Sequence, residues 1–466
     1  MKVIVFGTGS CCEKTLIKLD DNKVDIIGFC DNNPEKQKKK FYGKTVFGVE
    51  SLHHLDYDMI LIASEYATQI YEQLRNMGID MGKVVPVLYG KFARELEKEY
   101  ESRLLSIYKQ DPLRFREKKR IALLKVNNSG SNTYALYKTM PEFIKNKYEV
   151  QVVSRADLDN DKDFDMICST SISSYYHPSI YNIQLWHGFP LKKIGTRTEL
   201  FYHSYNDYVK KCTDKIISYS ELYSSLYNAS FPNLPDKYEI CGMPRNDLLF
   251  RKNSNLMKNL FGEHVLRKKV IAYLPTYRTW KQDLKVNGNR NWDNLFGFES
   301  FDLEQFADFL RDNHLFLICK LHHMEYNQLN FVEYSNYSEV IRFIQEVDLI
   351  EHDIDLYEIL ANVEMLLTDY SSVYFDLLLT GIPLIFVPVD LQDYIKNRGF
   401  NMEPYDFWAP GPKVFSQRQL QETILSLFET DAYASTRNQL CNIVHAYKDD
   451  QAHARVWNLV DQLLDK

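Results

Sequence analysis

Residues 363–388 read V-E-M-L-L-T-D-Y-S-S-V-Y-F-D-L-L-L-T-G-I-P-L-I-F-V-P, and this stretch decides the fold. It begins with a β-type run, Val363–Thr368, which a polar turn ends. Ser371–Thr380 then has the character of a helix, and Gly381 closes it before a second apolar run, Pro383–Pro388. A strand, a turn, a helix and a further strand in this order are typical of a parallel α/β unit. The stretch therefore predicts a doubly wound sheet around it.

The same order of elements begins at three places in the chain. Short β-rich runs followed by a turn and a helical stretch begin at Lys2–Phe6, Ile121–Val126 and Lys269–Leu274. Each of them opens a stretch long enough for a sheet of its own, so we predict three Rossmann-like α/β units in tandem. The predicted parts are a small unit at 1–90, a helical linker at 91–118, a lobe at 119–250 and a lobe at 251–466.

Composition excludes several classes of protein. With 45% hydrophobic and 26% charged residues among 466, the chain is neither fibrous nor disordered. Its net charge of −7 disfavours a nucleic-acid partner, which needs clustered positive charge. The N-terminus lacks the features of a signal peptide, and the longest apolar stretch, Leu377–Val389, is too short to span a membrane. Eight scattered cysteines without a C-x-x-C pair predict reduced thiols in a cytoplasmic protein.

Two segments of the third unit are candidate phosphate sites. Ser371 and Ser372 stand at a predicted helix N-terminus, where free N–H groups, the helix dipole and hydroxyls suit a phosphate, although one serine could simply cap the helix. The run Leu315–Leu321 ends in His322-His323, with Lys320 beside them. Adjacent side chains on an extended chain point to opposite faces, which favours one phosphate-facing and one structural histidine over a metal site.

The second unit contributes a candidate base and a candidate arginine. Ile183–Leu185 breaks into a glycine loop that carries His187, whose imidazole could take a proton from a hydroxyl nucleophile or could be structural. Arg245 here, and Arg278 in the third unit, each follow a strand-like run and a proline turn. Either guanidinium could bind a phosphate through two parallel hydrogen bonds or form a surface salt bridge.

Six motifs in order along the chain resemble one family. They are W-H-G-x-P-L-K-K-I-G (186–195), G-x-P-R-N-D (242–247), L-P-T-Y-R (274–278), K-L-H (320–322), T-D-Y-S-S-V-x-F-D (368–376) and R-G-F (398–400). Together they resemble the CDP-glycerol glycerophosphotransferase family, the polyol-phosphate transferases and polymerases of teichoic-acid and capsule synthesis. The resemblance covers about residues 120–430. It implies a two-lobed GT-B type α/β fold with the active site in the cleft between the lobes.

The resemblance also implies a reaction and a set of residues. Glycerol phosphate would pass from CDP-glycerol, or another CDP-polyol, to a hydroxyl of a lipid-linked or glycan acceptor, and CMP would leave. His187 would remove the proton of the attacking hydroxyl, and no metal or other cofactor would be required. The second catalytic residue is His322. The predicted substrate-binding residues are Gly188, Arg245, Thr276, Arg278, Lys320, Asp369, Ser371, Ser372 and Arg398, with Asp369 orienting its loop.

The chain departs from the family pattern at two positions. His323 replaces a usual proline, and Phe189 stands where a threonine is common. Because Phe189 would border the acceptor side, we expect the acceptor to differ from a standard teichoic-acid chain. The motifs contact nucleotide and phosphates, so CDP-glycerol and CDP-ribitol both remain open as donors.

The N-terminal unit carries part of a dinucleotide fingerprint. Gly7 and Gly9 follow the first strand and Asp31 ends the second, while Cys12 occupies the place of the third glycine. The unit resembles small Rossmann domains of polysaccharide biosynthesis proteins. Gly7, Gly9 and Asp31 are therefore candidate nucleotide-binding or sugar-nucleotide-binding residues, and the alternative is a structural or assembly role.

Two further readings of the whole chain are open. One is a UDP-sugar epimerase or glycosyltransferase of the same two-lobed fold, and the other is a non-catalytic sugar-nucleotide sensing module. For the leading interpretation, the expected location is the inner face of the cell membrane, with peripheral contact. The basic segment Arg114–Arg120 and the aromatic, basic stretch Leu200–Tyr227 are candidate lipid-facing segments, but each could equally be a solvated or packed surface.

Overall fold

The structure is a computed structural model of the 466-residue chain. It describes residues 1–465 except 17–18, 20–23, 38, 65, 88–116, 155–156, 159–162, 171–179, 198–212, 232–235, 279–286, 323–324 and 326–327. The described chain forms two compact units, a small one at the N-terminus and a larger one from Glu117 onward. Residues 91–116 of the predicted linker and His323 lie outside the described residues, as do residues 114–116 and 200–212 of the candidate lipid-facing segments.

The N-terminal unit is built on one six-stranded sheet. Its strands are β1 (Lys2–Phe6), β2 (Asp25–Cys30), β3 (Lys40–Phe41), β4 (Lys44–Phe47), β5 (Met59–Ile62) and β6 (Val84–Pro86). They lie in the order β3-β4-β2-β1-β5-β6 and are parallel except for the β3–β4 pair. Apolar side chains are buried on both faces of β1, as expected for a parallel strand with both faces covered. The helices are Ser10–Leu16, Ala67–Asn76 and the 3-10 turns Val49–His54 and Met81–Lys83.

The larger unit contains two parallel sheets. The first consists of β7 (Arg120–Leu124), β8 (Glu149–Val153), β9 (Met166–Ser169), β10 (Tyr181–Gln184), β11 (Lys215–Ser218) and β12 (Tyr238–Ile240), in the order β12-β11-β10-β9-β7-β8. Its helices are Asn132–Lys138, Glu142–Lys147 and Glu221–Ser230, with 3-10 helices at Gly195–Arg197 and Pro244–Phe250. We call the part built on this sheet the first lobe.

The second sheet of this unit forms the second lobe. It consists of β13 (Lys269–Leu274), β14 (Leu315–Cys319), β15 (Ile341–Phe343), β16 (Met365–Thr368) and β17 (Leu384–Phe386), in the order β15-β14-β13-β16-β17. Its helices are Ser254–Phe261, Leu303–Asp312, Phe331–Ser335, Glu346–Glu351, Leu356–Leu360, Val373–Leu377, Leu391–Asn397, Tyr405–Trp408, Gln417–Glu429 and Ala434–Val444, with 3-10 helices at Glu263–Arg267 and Leu378–Thr380. Within the described residues, no helix combines the length and the apolar character that crossing a membrane demands.

The last helix, Ala452–Leu464, returns to the first lobe. Its first turn is capped by the buried carboxylate of Asp247, which accepts the backbone N–H of Ala452 (3.1 Å) and of His453 (2.7 Å). Trp457 is fully buried, and its indole N–H donates to the carbonyl of Leu136 at 3.2 Å. The sequence predicts a helix with these bounds from an apolar stripe formed by Val456, Leu459, Val460, Leu463 and Leu464, and the structure confirms it. The helix packs on the first lobe, however, and not on the sheet of the 251–466 segment to which the sequence assigns it.

Candidate functional site

The loop after β10 is held in place by side chains. The amide of Asn132 donates to the carbonyl oxygens of Leu185 (3.2 Å) and Trp186 (2.9 Å). Trp186 has a positive φ of 52°, and its backbone N–H donates to the side chain of Gln184 at 2.9 Å. A non-glycine residue in this region of φ costs free energy, so the side-chain hydrogen bonds specify the loop conformation. The loop directs His187 outward.

His187 is set up as a neutral imidazole. Its Nδ1 lies 2.9 Å from the carbonyl oxygen of Thr170, and because a carbonyl can only accept, Nδ1 carries the hydrogen and Nε2 has the lone pair. The ring stacks on Trp186 (4.3 Å between centroids), and part of it stays exposed. Partial desolvation in the cleft, with the nearby cations Arg245 and Lys192, lowers the pKa of His187 despite the bond to Thr170. Nε2 can therefore accept a proton at neutral pH.

The His187 loop touches the second lobe. A Cβ atom at Gly188 would lie 2.6 Å from the hydroxyl of Ser372, so any larger residue at this position would have to displace that hydroxyl. Phe189 is 3% exposed and stacks on Phe375 of the second lobe, with ring centroids 4.5 Å apart. The expectation that Phe189 borders an acceptor surface is therefore wrong, because its ring is buried between the lobes.

Ser371 and Ser372 stand at the start of a short helix, as the sequence predicts. The predicted helix over Ser371–Thr380 consists of an α-helix at Val373–Leu377 and a 3-10 turn, and Gly381 ends it in the left-handed region. Ser372 is the N-cap residue, yet its side chain makes no capping hydrogen bond. Both serines are half-buried. The hydroxyl of Ser372 is thus not consumed by the helix end.

Arg278 and Asp369 form a buried charge cluster behind these serines. The Arg278 guanidinium binds both oxygens of Asp390 (2.7 and 2.8 Å) and lies 2.8 Å from Asp369. Asp369 also accepts the backbone N–H of Thr276 at 2.8 Å. Burial opposes ionisation of Asp369, but Arg278 and the Thr276 N–H together lower its pKa. Arg278 is 2% exposed, so the structure directs this arginine to protein carboxylates and away from the open cleft.

The loop after β14 carries the next two predicted residues. Lys320 is half-buried, 4.0 Å from the carboxylate of Glu346, and burial lowers its pKa. His322 stacks on Tyr277, with ring centroids 4.3 Å apart and 23° between the planes. Tyr277 follows Thr276, so the stack joins the loops that follow β13 and β14.

Glu325 joins the same two loops and was not predicted from the sequence. Its backbone N–H donates to the carbonyl of His322 (2.8 Å), and its Oε1 accepts the backbone N–H of Arg278 at 2.5 Å. The side chain is fully buried, which raises the pKa of Glu325 to about 7. The carboxyl thereby fixes the positions of both predicted phosphate loops, and its separation of 47 residues from Arg278 left no pattern in the sequence.

Arg398 is brought to the His187 loop by backbone pairing. Lys192 forms an antiparallel bridge with Phe400, and the amide of Asn401 donates to the carbonyl oxygens of Pro190 (3.1 Å) and Lys192 (2.9 Å). The Lys192 ammonium faces the charges of the second lobe, and burial lowers its pKa to about 8. Lys192 was absent from the predicted site set, although it belongs to the K-K pair of the first motif.

Arg245 lies beneath the His187 loop. It is 3% exposed, and its guanidinium forms an ion pair with Asp376 of the second lobe at 2.7 Å. The other terminal nitrogen donates to the carbonyl oxygens of His187 (2.9 Å) and Gly130 (3.0 Å). The structure therefore turns Arg245 to protein partners. The sequence left a phosphate contact or a surface salt bridge open for this arginine, and the resemblance implied a substrate-binding role.

The glycine loop of the N-terminal unit binds its own acidic residue. Gly7 has φ +109°, and a Cβ there would lie 2.6 Å from the carbonyl oxygen of Ala63; space around Gly9 is open. Asp31 accepts from the backbone N–H of Thr8 (3.1 Å) and from its hydroxyl (2.5 Å). Burial opposes ionisation, but the hydrogen bond from the Thr8 hydroxyl is among the contacts that lower the pKa of Asp31. The carboxylate is thus engaged within the protein.

Possible metal ligands are dispersed. Among the described residues, no group of three or more histidine, cysteine, aspartate or glutamate side chains is arranged to hold a metal ion.

Comparison with known proteins gives two family matches. The profile described as CDP-glycerol:poly(glycerophosphate) glycerophosphotransferase matches residues 158–462, and a profile described as C2185-like, N-terminal matches residues 1–85. A teichoic acid glycerol-phosphate transferase of Staphylococcus aureus is 31% identical over 302 residues, which cover 60% of this chain and 71% of the relative. A teichoic acid poly(ribitol-phosphate) polymerase of Bacillus spizizenii is 28% identical over 60% of this chain, but only 43% of that relative is matched.

Solved structures share the fold. The wall teichoic acid polymerase TagF matches with a TM-score of 0.61 at 20% identity, over 80% of this chain and 96% of the TagF chain. A second TagF structure gives a TM-score of 0.60 over 86% of this chain. The predicted two-lobed, GT-B type α/β fold is confirmed by this likeness.

Proposed function

Because the chain belongs to the CDP-glycerol:poly(glycerophosphate) glycerophosphotransferase family, we propose that it transfers glycerol phosphate, or a related polyol phosphate, from a CDP-polyol to an acceptor hydroxyl. The observation that carries the proposal is His187. Its Nδ1–H donates to the carbonyl oxygen of Thr170, and its Nε2 can accept a proton. Its loop contacts Ser372, the N-cap residue of the helix Val373–Leu377 in the second lobe. A general base and a phosphate-binding surface thus meet where the two lobes touch.

In the proposed reaction, the acceptor hydroxyl attacks the phosphorus that bears the polyol. The new bond joins the acceptor oxygen to this phosphorus, and the bond from phosphorus to the oxygen of CMP breaks. His187 Nε2 takes the proton of the hydroxyl, and CMP departs with the bonding electron pair. An imidazole with a lowered pKa is unprotonated at pH 7, which is the state that a general base needs.

The second lobe would bind the diphosphate of the donor. We assign direct contacts to His322, Ser371, Ser372 and Arg398, and we add Lys192 from the first lobe. Lys192 and Arg398 provide positive charge beside the bridging loops, which would stabilise the charge that develops on departing CMP.

Other predicted substrate residues are assigned a supporting role. Arg278, Asp369 and Thr276 form a buried cluster that shapes the phosphate loops, and Gly188 allows the lobes to approach. Lys320 stays a candidate contact at the end of β14.

The identity of both substrates is part of the proposal. The relatives include glycerol-phosphate and ribitol-phosphate enzymes, so either CDP-polyol could be the donor. We propose a lipid-linked or glycan acceptor at the inner face of the cell membrane, reached by peripheral contact. In the N-terminal unit, nucleotide binding at Gly7 and Gly9 stays a prediction, and the bonds between Thr8 and Asp31 favour the structural alternative.

The test incubates the purified chain with CDP-glycerol, CDP-ribitol or UDP-N-acetylglucosamine, each with and without a polyol-phosphate acceptor. It measures CMP release from the CDP-polyols and conversion of the UDP-sugar. We expect acceptor-dependent release from one CDP-polyol and a loss of about 10²–10⁴-fold in His187→Ala. His352→Ala is the matched control, because the exposed His352 also has its Nδ1 2.9 Å from a carbonyl, that of Asp348. Conversion of the UDP-sugar without use of a CDP-polyol would overturn the proposal in favour of an epimerase or glycosyltransferase.

A further inference from the structure

A fully buried carboxylate joins the two lobes beneath the candidate site. Asp376 of the second lobe has no exposed surface, and its oxygens accept from Arg245 (2.7 Å) and from the hydroxyl of Tyr219 (2.7 Å), both in the first lobe. The hydroxyl of Tyr357, in the second lobe, also donates to it. Three donors thus converge on one side chain, two of them from across the lobe boundary.

Arg245 connects this carboxylate to the backbone of the base loop. One terminal nitrogen of its guanidinium binds Asp376, and the other binds the carbonyl oxygen of His187 at 2.9 Å. The backbone N–H of Arg245 donates to the side chain of Asn132, whose amide holds the two preceding carbonyls of the loop. The position of His187 relative to β10 therefore depends on Arg245 and Asn132 together.

Asp376 connects the same arginine to the phosphate side of the site. It lies four residues after Ser372, about one helical turn away on the helix Val373–Leu377. The approach of Gly188 to the Ser372 hydroxyl forms a second contact between the same loop and the same helix. Two contacts at different points restrict both the distance and the angle between the His187 loop and this helix.

We propose that Arg245 and Asp376, supported by Tyr219 and Tyr357, position His187 against the phosphorus of the bound donor. This inference rests on the proposed transfer reaction. None of the four side chains touches the reacting atoms, so they are positioning residues. A buried ion pair contributes little to stability compared with apolar packing, whereas the planar guanidinium fixes direction by binding a carboxylate and a carbonyl at once. Such geometric control matters because small misplacement of a base is costly to catalysis.

The test separates this role from general support of the fold. Tyr219→Phe and Tyr357→Phe each remove one hydroxyl that donates to Asp376 and leave the ring in place. Tyr374→Phe is the matched control, because Tyr374 is also fully buried, lies on the same helix as Asp376 and donates its hydroxyl to the Trp408 carbonyl instead. Arg245→Lys keeps the positive charge but loses the two-pronged geometry. For each variant, kcat, the KM for CDP-glycerol and the midpoint of thermal unfolding are measured.

We expect kcat to fall about tenfold in Tyr219→Phe and Tyr357→Phe and about 10²-fold in Arg245→Lys, with the KM for CDP-glycerol within about twofold of the unsubstituted chain. Tyr374→Phe should keep the kcat of the unsubstituted chain, even if its unfolding midpoint falls as far as those of Tyr219→Phe and Tyr357→Phe. Activity losses that follow the unfolding midpoint equally in all four variants would overturn the positioning role. Absence of CMP release by the unsubstituted chain would instead refute the proposed function, so the two failures are distinguishable.

Discussion

The segments Gly242–Asp247 and Leu274–Arg278 share a pattern in the sequence and differ in the structure. Each places an arginine after a strand and a proline, and each arginine is buried. Arg278 binds two carboxylates of its own lobe, whereas Arg245 binds one carboxylate of the other lobe and two backbone carbonyls. Arg278 therefore holds loops within one lobe, and Arg245 connects the two lobes.

The difference teaches that partners, and not the local pattern, decide what a strand-end arginine does. Arg278 follows β13, and Asp369 and Asp390 follow β16 and β17 of the same sheet. The charge of this arginine is therefore balanced within the second lobe. Arg245 has no such pair of carboxylates in its own lobe among the residues described. Its one acid is Asp376, and the ion pair therefore requires that the lobes stay in contact.

The largest expected effect is a loss in the free energy of unfolding, and it should differ between the two arginine sites. Arg278→Met leaves Asp369 and Asp390 buried without their cation, and we expect the free energy of unfolding to fall by about 3–5 kcal/mol. Arg245→Met leaves one carboxylate, which keeps its two tyrosine donors, so its loss should be smaller. Urea denaturation followed by tryptophan fluorescence measures both. An equal or larger loss in Arg245→Met would contradict the comparison.

A second prediction concerns Lys192, whose ammonium faces the charges of the second lobe. Among the described residues, no carboxylate lies within ion-pair distance of it. Because this ammonium is not neutralised by a side chain, we expect Lys192→Met to raise the KM for CDP-glycerol about tenfold. With a pKa of about 8, Lys192 loses its charge above that pH, so the KM of the unsubstituted chain should rise there. In Lys192→Met, the KM for CDP-glycerol should be high below and above pH 8 alike and should show no further rise above pH 8.

The matched control for Lys192 is Lys413→Met. Lys413 is also a lysine whose pKa burial lowers, but its ammonium pairs with Asp406. Its substitution should leave the KM for CDP-glycerol and its pH dependence unchanged. A rise in KM above pH 8 that persists in Lys192→Met would show that another group titrates.

The smallest expected effect is a shift in the pH dependence of kcat/KM, which tests whether the charge of Arg245 acts on His187. The positive charge of Arg245 contributes to the low pKa of His187. Its removal in Arg245→Met should raise the pKa of His187, so the acid limb of kcat/KM, where the base becomes protonated, should move to higher pH by less than about one unit. Arg245→Lys keeps the charge and should leave the limb in place. A shift of the same size in both variants would exclude the charge as its cause.

Much of the fold follows from local sequence patterns. The strand Lys269–Leu274 and the helix Ala452–Leu464 have the predicted bounds because an apolar run and an apolar stripe mark them without ambiguity. The pair β3–β4 escaped prediction, since strands of two and four residues show too little alternation. The residues Tyr42 and Gly43 connect these two strands. Both have positive φ angles, which is typical of a tight hairpin turn.

The candidate site was predictable only in part. That His187 and Ser372 follow strands could be inferred from the order of apolar runs and polar turns, because parallel strands present their carboxyl ends at one edge. The pairing of Arg245 with Asp376 spans 131 residues, and that of Arg278 with Asp390 spans 112. No local pattern encodes such separations, so the sequence left a phosphate contact or a surface salt bridge open for each arginine and did not identify the carboxylate partners.

The return of the last helix to the first lobe has a consequence for synthesis of the chain. The indole of Trp457 donates to a carbonyl 321 residues earlier, and Asp247 caps the first turn of the helix. The first lobe therefore lacks this helix until residues 452–464 have been translated. The apolar surface that Val456, Trp457 and Val460 cover stays open to solvent during that interval. Completion of this lobe therefore waits for synthesis of the second lobe and has a high contact order, and the partly synthesised chain is the form most exposed to aggregation and proteolysis.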